Sequence, residues 1–468
     1  MLNRNIHVLL VTLLFLTAAA DATTQEVSEA FLTWARGNAI PITTIQPGHG
    51  FEDLQPLKEL VGNARIVGLG ESLHGVHEFF EVRHRLFEFL VEEMRFTAFA
   101  GETGLVEAVR VNDYVLGRAD EPEQMSDWFN GGFRDWEEVK TLVRWMRRYN
   151  QNPNHSRKLH FYGVDVHTLY TSPLAALEGA WTYLDEVDSG YAAESRQALL
   201  PLVEPFLEQG EGLRASVAGR QREDMYTRLS MEGRAAYTAA VADLVARFET
   251  RELDYLSRSS EEAYQWAYRH AIVARQLDQQ FRASLAPAGV PQDGRGQIAS
   301  VPPAEARYAR ERAMVDNLLW ALEREGPEGR IVMWNHNGHL QKFPHPMGHE
   351  SMGQFLDSRI GGNYVNIGFT YYQGDQSGWA SYQSEVSRPA KPKSLDGELA
   401  RIGLPMFILN LRAAPKDGPV YEWLNRVWEH RESIPQYFSV NPLQAFDALF
   451  FIDHISPVQV PGANEIGC

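Results

Sequence analysis

The stretch that decides the reading is "ARIVGLGESLHGVHEFFEVRHRLFEFL", Ala64 to Leu90. An apolar run, Ile66 to Leu69, enters a glycine at position 70, and Glu71 and His74 follow at once. A pattern of helical period begins behind them. A strand that is apolar throughout is buried on both faces, as in parallel sheets covered by helices. Acid and imidazole at the carboxyl end of such a strand stand where ligands bind in open α/β sheets.

Six further runs carry the same signature: "FTAFAGE" (96–102), "LHFYGVD" (159–165), "RIVMWN" (330–335), "YVNIGFTYY" (364–372), "MFILNL" (406–411) and "LFFID" (449–453). Helical patterns lie between many of them, including 76–94, 105–117 and 135–150. The alternation predicts an α/β fold with a mixed, largely parallel central sheet flanked by helices. From about residue 174 to 284 the chain keeps helical periodicity with few strand signals, which predicts a helical insertion or subdomain. The prolines and glycines of 285–306 mark a loop.

The chain has 468 residues, 44% of them hydrophobic, enough for one large α/β unit with an insertion. Residues 1–22 read as a secretory signal peptide: Arg4, an apolar run to about Ala20, then the Ala20-Asp21-Ala22 cleavage pattern. The expected mature domain is 23–468, periplasmic or secreted, with no stable membrane association after signal removal. The single cysteine, Cys468, closes no disulfide within the chain and provides no thiolate metal site. A net charge of −17 disfavours nucleic acid as a partner.

Four predicted strand ends carry polar residues together: Glu71 with His74, Glu102, Asp165, and Asn335 with His336, Asn337 and His339. Arg83 falls on the apolar stripe Phe79, Arg83, Leu86, Leu90 of the first helix, so it either snorkels out or meets buried carboxylates, with Glu71 and Glu102 as candidates. Glu78, Glu81 and Glu88 read as a solvated helix face. His77, His84, His345 and His349 read as ordinary surface or loop histidines.

Three chemistries fit these residues. Gly70-Glu71-Ser72-Leu73-His74 approaches a G-x-S-x-G nucleophile elbow, but histidine stands where the second glycine permits the sharp turn. His74, His336, His339, Glu71 and Glu102 are ligand types for zinc or another divalent ion. A histidine oriented by a carboxylate can also take a proton from water, with arginine and further imidazoles stabilising the oxyanion.

The segment "GLGESLHGVHEFFEVRHRLFEFLVEEMRFTAFAGETG" resembles the N-terminal signature of the erythromycin esterase family. The resemblance continues through "GGFRDWEEVKTLVRWMRRYN" (131–150), "FYGVDVH" (161–167), "RERAMVDNLLWAL" (310–322) and "IVMWNHNGHLQK" (331–342). Its late motif reads Asn335-His336-Asn337-Gly338-His339 where the family's is similar to AHNAH. The resemblance implies cleavage of a macrolactone ester by general-base attack of water, with no cofactor. It carries His74 over as the base, with Glu71, Arg83, Glu102, His336 and His339 orienting water and polarising the ester. Asp165 and Asn337 are the candidate substrate-binding residues. The expectation is an exported hydrolase acting on a small-molecule ester. A metal-dependent hydrolase of another substrate, and a non-catalytic ligand- or metal-binding relative, are the alternatives.

Overall fold

The computed structural model describes residues 25–122, 125, 136–168, 171–203, 226–285, 303–345, 347–375, 388–431 and 437–459. The expected signal peptide, residues 131–135 of the family-like stretch and most of the 285–306 loop lie outside them.

All seven apolar runs are strands of one eight-stranded sheet: β2 (Ile66–Leu69), β3 (Ala98–Gly104), β4 (His160–Asp165), β5 (Ile331–Trp334), β6 (Tyr364–Gly374), β7 (Met406–Asn410) and β10 (Ala448–Ile455). The eighth, β1 (Ala39–Pro41), was not anticipated; it is three residues long and ends in proline, which suits an edge strand. The order is β1-β7-β10-β6-β2-β5-β3-β4. From β10 to β4 every pairing is parallel, and β7 runs antiparallel to β10 and β1. A separate antiparallel ribbon, β8 (Trp428–Arg431) with β9 (Tyr437–Val440), was also unanticipated.

Fifteen α-helices lie within the described residues. The first run is α1 (25–38), α2 (Leu57–Val61), α3 (His77–Met94), α4 (Leu105–Val115) and α5 (Glu137–Gln151). The insertion follows as α6 (Pro173–Val187), α7 (Ser189–Val203), α8 (Met231–Arg258) and α9 (Glu261–Ser284). Next come α10 (Ala304–Arg324), α11 (Asn337–Leu340) and α12 (Met352–Ile360), then α13 (Leu395–Ala400), α14 (Gly418–Leu424) and α15 (Pro442–Ala445).

Apolar residues cover both faces of the sheet, as the uninterrupted runs require. On one face α3 and α5 bring Phe79, Phe87, Leu142 and Met146 against Phe99, Trp334 and Phe369. On the other, α10 lays Met314, Leu318 and Ala321 over Ile66, Ala100 and Met333. The insertion has its own core of Trp181, Leu184, Leu244, Phe248 and Leu277, joined to the sheet domain through Leu105, Val166 and Ala313. Among the described residues no helix is long and apolar enough to cross a membrane.

Candidate active site

Four adjacent parallel strands, β2, β5, β3 and β4, deliver the polar residues at their carboxyl ends. Glu71 and His74 leave β2, Glu102 lies in the last turn of pleat in β3, Asp165 ends β4, and His336 follows β5. The short helix α11 starts with His336 as its N-cap and turns His339 back toward the sheet. The i, i+3 spacing of these two histidines is thereby used.

Glu71 is wholly buried and grips two partners. One carboxylate oxygen lies 2.5 Å from His74 Nδ1, and the other accepts from an Arg83 guanidinium nitrogen at 2.8 Å. Burial pushes the Glu71 carboxyl up, but Arg83 and His74 outweigh it and hold it below the usual carboxylate range. Burial opposes protonation of His74, yet the Glu71 charge and hydrogen bond raise it above the ordinary imidazole value. Because Nδ1 faces Glu71, the proton sits there and Nε2 carries the basic lone pair. A third of the His74 side chain is open to solvent.

Arg83 meets a buried carboxylate, as its place on the apolar stripe predicts, and of the two candidates its ion pair is with Glu71. Its Nε donates to the Phe79 carbonyl at 3.0 Å, and its guanidinium lies 3.7 Å from the Trp334 ring centroid. Burial lowers it to about 10, with Glu71 opposing the shift.

Glu102 belongs to a second network. It accepts from Arg310 at 3.0 Å, lies 3.3 Å from His339 Nε2, and accepts the His336 backbone N–H at 3.0 Å. Arg310 also spans both oxygens of Asp165, at 2.9 and 2.7 Å. His339 Nδ1 is 2.6 Å from Glu311, which in turn accepts the Met352 N–H. Burial disfavours charge on His339, but Glu311 and Glu102 outweigh it and raise it to about 10.

His336 behaves differently. Its Nδ1 accepts from the Gly338 N–H at 3.2 Å, which leaves the proton on Nε2. Burial lowers it to about 4, with His74 adding to the shift. The His74 and His336 rings stand 5.2 Å apart, so a basic Nε2 and a neutral imidazole donor belong to adjacent rings.

Arg310 and Glu311 were not singled out from the sequence. The signal was present: Arg310, Met314, Asn317 and Ala321, and Glu311, Val315, Leu318 and Leu322, repeat the spacing that exposed Arg83. Several expectations are corrected. His84 and Glu88 are buried in α3, because His84 shares a stripe with Phe80, Phe87 and Val91. Glu78 accepts from Ser456, and buried His349 lies 3.8 Å from Glu311. Ser72 has no exposed surface, which removes it as a nucleophile. Asp165 and Asn337 are buried as well. Asp165 holds Arg310; Asn337 straps α11 to β6 by giving Nδ2–H to the Phe369 carbonyl and accepting the Phe369 N–H. Among the described residues no three His, Cys, Asp or Glu side chains form a group that could hold a metal.

Comparison with known proteins identifies the family and the fold. The erythromycin esterase family profile matches residues 91–455. Erythromycin esterase type II of Escherichia coli is 26% identical over 350 residues, 74% of this chain and 78% of that protein. A Bacillus cereus protein of known structure is 25% identical and superposes with a TM-score of 0.76, covering 92% of this chain and 99% of that one. A mutant of the erythromycin esterase EreC in its open conformation, 19% identical, shares the fold with a TM-score of 0.68 over 90% of this chain and 98% of its own. The chain belongs to the erythromycin esterase family.

Proposed function

We propose that the protein is a hydrolase of a carboxylic ester, with the macrolactone of macrolide antibiotics as the substrate class, and that His74 activates the attacking water. The observation that carries this reading is the orientation of His74. Buried Glu71 fixes its Nδ1–H at 2.5 Å and leaves Nε2 as the acceptor on a partly open ring. In the proposed step Nε2 takes a water proton as the oxygen bonds to the ester carbonyl carbon. The His336 Nε2–H receives the developing oxyanion, and Arg310 and His339, paired with carboxylates, hold that wall of the site. Collapse breaks the acyl C–O bond, the His74 proton passes to the departing alkoxide, and the products are a carboxylic acid and an alcohol. Atoms balance with one water consumed.

Family membership supports this substrate class, since two Escherichia coli relatives carry the name erythromycin esterase. The reading also carries export, supported by the composition of residues 1–22. Sequencing the N-terminus of the protein recovered from expressing cells tests that part, and a product still beginning at Met1 rejects it.

Activity is tested by incubating the protein with a macrolide panel in excess chelator and weighing the products by mass spectrometry. A product heavier by one water is expected. Turnover that appears only when a divalent metal is restored replaces this mechanism with a metal-dependent one. Stoichiometric capture without turnover replaces it with a binding function.

A further inference from the structure

A further carboxylate–imidazole pair lies behind Asn337, in a part of the chain distant in sequence. His430 on β8 points its Nδ1 at Asp396 on α13, 2.9 Å away, and both are almost completely buried. Asp396 is saturated: the same oxygen accepts from the Thr370 hydroxyl at 2.5 Å, and its other oxygen accepts the Arg431 N–H at 3.0 Å. A carboxylate at Nδ1 places the imidazole proton there and makes Nε2 an acceptor. That Nε2 faces Asn337 Nδ2 at 3.4 Å.

Asn337 is the joint of the site. The Phe369 N–H bonded to Oδ1 fixes which end of the amide is oxygen, so one Nδ2 hydrogen goes to the Phe369 carbonyl and the other toward His430. Its backbone N–H donates to the Glu71 carbonyl at 2.8 Å, and it directly follows His336. Gly70 is required beside it, because a Cβ there would collide with Asn337 Oδ1. Any displacement of Asn337 therefore moves the peptide of Glu71 and the start of α11 together.

Packing alone does not call for such a pair. Buried ionic pairs stabilise no better than apolar side chains of the same shape, whereas they fix direction. Without the acceptor at His430, one amide hydrogen of fully buried Asn337 would be left unmatched.

We propose that His430 and Asp396 form a positioning dyad that acts through Asn337 to hold Glu71 and His336 in register with His74. Asp396 sets the His430 tautomer, His430 sets the Asn337 amide, and Asn337 sets the catalytic turn. The inference rests on the hydrolase reading above for its kinetic test, and has a second test that does not.

The experiment compares wild type with His430→Ala and His430→Gln. The glutamine oxygen can accept from Asn337 where alanine cannot. The expected result is a loss of about 10²-fold in kcat for the alanine variant, the cost typical of a small misplacement of reacting groups. KM should stay close to wild type, and glutamine should recover most of the loss. Unchanged kcat per folded molecule, or equal losses in both variants, overturns the proposal. If the alanine variant does not fold, Asp396→Asn is used: reduced kcat at normal KM supports the dyad, and full kcat overturns it. If wild type hydrolyses no macrolide, the function reading fails by itself. The dyad is then judged by the His74 Nδ1 proton resonance in substrate-free, nitrogen-15-labelled protein. A shift of that resonance in the His430 variant supports the proposal, and an unmoved resonance rejects it.

Discussion

The carboxyl end of the sheet and the helical insertion handle charge in opposite ways. In the insertion, α6 to α9 enclose an apolar core, and ion pairs such as Arg196–Asp185 and Arg258–Asp254 lie on the surface. At the strand ends the Arg83–Glu71 pair is buried against the Phe80 and Trp334 rings, and a partly buried Arg310 grips buried Asp165. Burying a charge costs more than a surface pair gains, so stability alone does not explain the second arrangement. The insertion does bury one carboxylate, Asp278, but its partner Arg282 reaches the surface. The contrast sets the strand ends apart as the candidate site.

The largest effect expected from breaking that contrast follows removal of the base. His74→Ala should lower kcat/KM for the hydrolysed ester by about 10²- to 10⁴-fold while the thermal melt stays close to wild type. Near-full activity in the folded variant would remove His74 from the mechanism. Arg83→Ala should act on folding as well as rate, destabilising by about 3–5 kcal/mol because Glu71 is left buried without its partner. Denaturant unfolding measures this, and an inactive variant of normal stability would mean that the guanidinium serves the reaction alone.

Gly70→Ala should cost about 1–3 kcal/mol through overpacking against Asn337 and the Ile367 carbonyl, and should reduce the rate as well. A variant with wild-type stability and rate would show that the turn yields freely. The smallest effect belongs to the insertion. Arg196→Ala breaks an exposed pair and should change stability by less than about 1 kcal/mol, with activity unaltered.

The pH profile sharpens the same comparison. His74 must be neutral to accept a proton, and Glu71 raises it above the ordinary imidazole value of 6.5. Below that raised value the ring is already charged, so kcat/KM should fall as pH drops, with a midpoint above 6.5. A midpoint at or below the ordinary value would show that Glu71 does not hold the ring as described.

Much of this was legible in the sequence for one physical reason. Strands buried on both faces must be apolar without interruption, and those seven runs stand out. β1 did not, because three residues at an edge need no pattern, and the β8–β9 ribbon reads as mixed polar chain. At the site, residues following an apolar strand announced themselves: Glu71, His74, Glu102, Asp165 and His336. Arg310 and Glu311 sit in a charged helix start, "RERAMVDNLL", where single charges are ordinary and only their phase against Met314, Val315 and Leu318 tells them apart. His430 and Asp396 reach the site solely through the tertiary fold, about 90 and 60 residues beyond Asn337, and carry no local sign.

The central claim is that water attacks the ester directly, with His74 as base and no side-chain nucleophile. A single turnover in oxygen-18 water, with enzyme in excess over a hydrolysed macrolide, tests it most directly. The account expects one heavy oxygen in the product carboxyl group, none in Glu71 or Glu102, and no acyl adduct on the protein after rapid quenching. Heavy oxygen in either glutamate, or an acylated enzyme, would contradict it.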